Sequence, residues 1–147
     1  MDAGLVLFAY DGSELAELAI AQAATQLAPG RDALVVCVWQ PADVGFLPVG
    51  KREFDAAQAS EVRKAAEETA AYGASLAERA GFPAQSMAVE AAPTWKGIVR
   101  AAEDRRAGLI VLGSHRRAGV AGRLLGSVAS AVVAHAAVSV LVVHRRA

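Results

Sequence analysis

Apolar residues fall along this chain in two patterns, and each predicts a different element. Short continuous apolar runs suit strands buried on both faces, and they occur at Gly4 to Ala9 (GLVLFA), Ala33 to Trp39 (ALVVCVW), Gly108 to Gly113 (GLIVLG) and Val138 to His144 (VSVLVVH). A further run, Gln85 to Ala92 (QSMAVEAA), is more polar and is therefore placed nearer a sheet edge. Between these runs the apolar period lengthens to that of a helix. After Ser13, residues Ala16, Ala19, Ile20, Ala23 and Leu27 share one face, Glu14 and Glu17 sit where the helix dipole favours acids, and Pro29-Gly30 ends the element. The Ala-, Glu-, Lys- and Arg-rich stretch from Glu53 to Ala80 favours helix, with Gly73 as its weak point and Gly81-Phe82-Pro83 closing it. Pro93-Thr94 opens another helix, with Thr94 as its cap and Ile98, Val99 and Ala102 on the inner face. The last helix runs from Ser127 through His135.

The predicted order is β-α-β-α-β-α-β-α-β. Right-handed crossovers lay the helices of such a chain on both faces of a parallel sheet, which makes a three-layer α/β/α sandwich. With 147 residues, 54% of them hydrophobic, the chain reads as one domain spanning 1–147. No apolar stretch approaches the roughly 20 residues of a membrane-spanning helix. The start, MDAGLVLFAYDG, lacks the basic segment and cleavage site of a secretory signal, and the lone Cys37 excludes an internal disulfide. A soluble, cytoplasmic protein with no membrane partner is expected. The 15 Lys and Arg balance 15 Asp and Glu, so no global field holds a polyanion and nucleic acid is set aside as a main partner. The basic excess is local, at His115, Arg116, Arg117 and Arg123. Pro41 to Arg52 is the long irregular segment and a lid candidate.

Ligands of open parallel sheets bind beyond the carboxyl ends of the strands, where strand order reverses. Three stretches end on that rim: Ala9 to Gly12, Val38 to Pro41, and the loop GSHRRAGVAGRLLGS from Gly113 to Ser127. Asp11 is placed either to bond a ribose or water-bridged metal, or to close an Asx turn or cap the helix with Ser13. Gly126-Ser127 begins the last helix, whose outward N–H groups and positive dipole end stabilise phosphate, though the same pair also makes a plain turn and cap. His115, His135 and His144 lack metal-ligand spacing, and His135 is expected to be satisfied locally. Cys37 reads as core, and Trp39 and Trp95 as packing residues before base-stacking ones. The chain has no G-x-S-x-G, no Walker-type loop and no G-x-G-x-x-G after its first strand.

Gly113-Ser114-His115, the nine residues from Arg117 to Leu125, and Gly126-Ser127 resemble the ATP-binding signature of the universal stress protein family: glycine, two residues, glycine, nine residues, glycine, then serine or threonine. The likeness extends over essentially the whole chain, through LVLFAYDGS, VVCVWQP, GLIVLGSH and LLGSVASAVVAHAAVSVLVVH. It implies a five-stranded parallel sheet of order 3-2-1-4-5 (the adenine nucleotide α-hydrolase-like arrangement), homodimers through the last strand, and ATP as a regulatory ligand in stress response. On this resemblance Ala9, Tyr10 and Asp11 would lie at the ribose or adenine end, and Val38 would hold the adenine through its backbone. Leu112, Gly113 and Ser114 would begin the phosphate loop, while Gly126, Ser127 and Val128 would grip the phosphates with Mg²⁺ or Mn²⁺ accompanying them. Arg116 stands at the second motif glycine, where it either crowds the phosphates or pairs with one through its guanidinium.

No residue is evidently placed to activate water, so a binding protein with at most slow ATP hydrolysis is expected, not an enzyme. The alternative is a family member without nucleotide, acting as a dimeric interaction module. A phospho-accepting receiver domain shares the element order, but this chain lacks an Asp at the end of strand three and a Lys at the end of strand five.

Overall fold

A computed structural model describes residues 3–40, 56–114 and 125–145. Its elements are β1 (Leu5–Ala9), α1 (Glu14–Gln26), β2 (Ala33–Trp39), α2 (Ala56–Arg79), β3 (Ala84–Glu90), α3 (Thr94–Asp104), β4 (Ala107–Gly113), α4 (Ser127–His135) and β5 (Ser139–Val143). All strand pairs are parallel and the sheet order is β3-β2-β1-β4-β5, as the resemblance implied. The polar strand β3 does lie at an edge, where a fully apolar sequence would be wasted on solvent. Among the described residues no helix is long and apolar enough to cross a membrane.

Strand alternation divides the core between the two faces of the sheet. Val6 and Phe8 point to one side, beneath Ala19, Ile20 and Ala23 of α1 and Ala77 of α2. Leu7, Leu34, Val36, Ile110 and Leu112 point to the other, beneath Ile98 and Ala102 of α3 and Ala129 and Val132 of α4.

Local corrections concern helix starts and Gly73. Thr94 is the first residue of α3 and does not cap it: Pro93 takes the cap position with extended backbone (φ −70°, ψ 166°), and no side chain bonds the first N–H groups. Ser127 likewise begins α4 after Gly126 without capping it. By contrast, Ser13 caps α1 through Oγ, which accepts from Ala16 N–H at 3.1 Å. Helix α2 runs unbroken through Gly73. A Cβ there would lie 2.7 Å from Tyr10 Cδ1 and 2.8 Å from Val35 Cγ1, so the glycine serves close approach of helix to sheet, not a break.

Candidate functional site

Strand order turns back between β1 and β4, because β2 and β3 are added on one side of β1 and β4 and β5 on the other. Such a reversal sends consecutive connections to opposite faces and leaves a crevice at the strand ends. A cleft of about 100 Å³, open to solvent on one side, occupies this position. It is lined by Ala9, Tyr10, Asp11, Val38, Leu112, Gly113 and Val128, all expected from the sequence, and also by Ala16, Val36, Thr94 and Ile98. The pattern had marked Ala16 and Ile98 as inner helix faces and Thr94 as a cap. Their place at the rim depends on how α1 and α3 seat on the sheet.

The backbone of Val38 is the cleft's main polar feature on the β2 side. Tyr10 N–H donates to Val36 O at 2.9 Å, the last described bond between the β1 and β2 backbones, and Ala91 N–H donates to Trp39 O at 3.1 Å on the opposite side. Peptide groups of alternate residues point the same way along a strand. The N–H and C=O of Val38 therefore aim past the end of β1, into the mouth of the cleft.

Across the cleft, Gly113 ends β4 with no room for a side chain: a Cβ would fall 2.5 Å from Leu15 Cγ. Ser114 follows, only 3% exposed, and its N–H donates to Val143 O at 2.9 Å. Its Oγ accepts from Gly126 N–H at 3.4 Å and so joins the end of β4 to the start of α4. Ser127 is exposed and Val128 half-buried, and the open N–H groups of this first turn stand at the rim. Arg116, with His115, Arg117, Gly119, Gly122 and Arg123, lies outside the described residues, as does the lid candidate Pro41 to Arg52.

Asp11 is exposed and lines the cleft while its Oδ1 accepts from Ser13 N–H at 3.0 Å, so the turn reading holds alongside the rim position. Trp39 packs on Ala66 and Ala70 of α2, and Trp95 stacks on His135 at 4.0 Å between ring centroids. His135 Nδ1 lies 2.8 Å from Ala131 O, the local partner expected of it. Cys37 is buried. No group of three or more His, Cys, Asp or Glu positioned for a metal occurs among the described residues.

Tyr10 lines the cleft at the end of β1, as expected. Its ring packs on the α1 and α2 face against Gly73, so its backbone, not its phenol, is what it offers the cleft. The hydroxyl is buried with no hydrogen-bond partner among the described residues. Burial first, then the charges of Glu17, Tyr72, Asp11 and Cys37, push its pKa up to about 12 from 10.0. Tyr10→Phe is expected to raise stability at neutral pH by about 1 kcal/mol, since it removes a desolvated, unpaired group. The raised pKa means that the unfolded chain loses this proton first. The stability linked to keeping this proton is fully present below pH 10 and is lost as pH rises towards about 12, a change of about 2–3 kcal/mol between those limits. Urea titrations at pH 9 to 12 should therefore show a shallower alkaline loss for the variant, and identical slopes would refute the assignment.

The fold and this cleft together define a three-layer α/β domain with a crevice at the strand-end rim, where strand order reverses between β1 and β4. A model of the Universal stress protein family matches residues 4–144, and the chain belongs to that family. Universal stress protein Rv2005c of Mycobacterium tuberculosis is 33% identical over 138 residues, covering 93% of this chain and 44% of that protein. The chain thus spans less than half the length of this curated relative. Similar folds include a universal stress protein in complex with cAMP (22% identity, TM-score 0.69, covering 97% of this chain and 98% of that one). Another is the universal stress protein of Archaeoglobus fulgidus in complex with dAMP (24% identity, TM-score 0.61, covering 97% and 98%).

Proposed function

We propose that the chain binds an adenine nucleotide, ATP foremost, as a regulatory ligand in a cytoplasmic stress response. The observation that carries this reading is the cleft itself, with the Val38 backbone on its β2 side and the first turn of α4 across from it. A base is matched by paired donor and acceptor groups above apolar walls, and phosphate by open helix N–H groups. The cAMP and dAMP complexes of proteins with this fold support it. ATP would bring Mg²⁺ or Mn²⁺ on its phosphates. Asp11, the carboxylate among the lining residues, accepts from Ser13 N–H through Oδ1, and the reading is of a protein that acts by binding, with hydrolysis slow at most. Homodimerisation through β5 fits the same reading: β5 is an edge strand, and Val140, Leu141 and Val142 are only half-buried.

Calorimetric titration with ATP and chromatography of nucleotide released on heating test the proposal, and silence in both overturns it. A second reading, an interaction module without nucleotide, rests on Arg116 in place of the motif glycine. ATP binding gained by Arg116→Gly and absent in the parent would establish it, whereas equal binding in both would reject it.

A further inference from the structure

Val36, Val38, Ile98 and Leu112 wall the cleft with hydrocarbon, so each polar side chain at its edge bears on what base it takes. Tyr10 keeps its ring on the far face of the sheet, and Asp11 Oδ1 accepts from Ser13 N–H. Thr94 remains, half-buried and lining the cleft with Val38 and Ile98. A threonine at the start of a helix ordinarily spends its hydroxyl on the helix's own N–H groups. Here no side-chain cap is made, and Thr94 Oγ1 instead accepts from Gln40 Nε2 at 3.4 Å. A hydroxyl has one proton and two lone pairs. With a lone pair taken by Gln40, the proton is left to donate, on a residue that lines the cleft.

We infer that Thr94 is a base-reading residue, whose hydroxyl donates to an unprotonated ring nitrogen of a purine that also meets the Val38 backbone. The inference rests on the nucleotide reading above and extends it to base selection by a side chain of α3. A base-reading hydroxyl gives selectivity because a ligand lacking the matching acceptor leaves it unpaired in an apolar setting.

Calorimetry on the full chain, with ATP and its 1-deaza, 3-deaza and 7-deaza analogues, tests this. Thr94→Val keeps the shape and removes the hydroxyl, and is expected to weaken ATP binding about five- to tenfold. Thr94→Ser retains the hydroxyl and should stay within about twofold of the native chain, which separates chemistry from folding. One deaza analogue, the one missing the nitrogen that Thr94 reads, should bind the native chain and Thr94→Val equally. A loss of the same size for ATP and every analogue, or no loss at all, overturns the inference and leaves nucleotide binding intact. Failure of the native chain to bind ATP removes the nucleotide reading and this one with it.

Discussion

Phe8→Ala is expected to cost about 3–5 kcal/mol of stability. Phe8 sits in β1, the middle strand of five, and is 1% exposed. Its ring meets Phe82 edge-on, with centroids 5.5 Å apart and planes at 63°, in the same cluster as Ile20, Ala23 and Val35. Removing it opens a void between the sheet and two helices. The backbone of β1 is pinned by β2 on one side and β4 on the other, so the void cannot close by moving the strand. Dispersion contacts and buried area are lost together. Against a total stability of about 5–15 kcal/mol for an ordinary domain, the variant would be marginal. Urea unfolding, followed at constant m-value, measures the effect; a loss under about 1 kcal/mol would mean that α1 and α2 repack into the space.

Ser127→Asp is expected to weaken ATP binding about a hundredfold while leaving the fold at least as stable. Ser127 is exposed and α4 has no side-chain cap, so a carboxylate there stays solvated and complements the dipole, for a gain of about 0.3–1 kcal/mol. The same charge would stand where the phosphates are proposed to lie. Two unit charges about 4 Å apart repel by about 4 kcal/mol at an effective dielectric of about 20, and solvent reduces this to the hundredfold stated. Calorimetry and a thermal melt on one preparation read the two effects separately. Unchanged affinity would move the phosphates away from α4 and remove the proposed site, whereas a drop in melting temperature would contradict the helix-end argument.

The opposing signs are what make Ser127 informative. A substitution that weakens binding by damaging the fold, such as any side chain at Gly113 against Leu15, says little about where a ligand sits. One that weakens binding and strengthens the helix acts through charge at the site.

Most of the rim is legible in the sequence. Ala9, Val38, Leu112 and Gly113 lie at or next to the carboxyl ends of runs whose apolar pattern marks them as buried strands, and a parallel sheet brings such ends to one side. Thr94 was legible only as a cap, since composition shows a hydroxyl near a helix start but not whether Pro93 takes the cap position instead. Tyr10 was read as a rim residue from its place after β1. The direction of its ring, set by strand alternation and by the space Gly73 leaves, sends the phenol to the opposite face.

The sequence by itself determined the alternation of strands and helices, the edge position of β3 and the stretches that end on one rim. Hydrophobic period and β-strand polarity are local quantities, readable from a few residues at a time. Only the tertiary structure decided which neighbours share the cleft, that Thr94 Oγ1 accepts from Gln40 while α3 goes uncapped, and that Tyr10 buries its hydroxyl with no partner among the described residues. Those outcomes depend on distances between residues far apart in the chain, set by how closely each helix packs on the sheet.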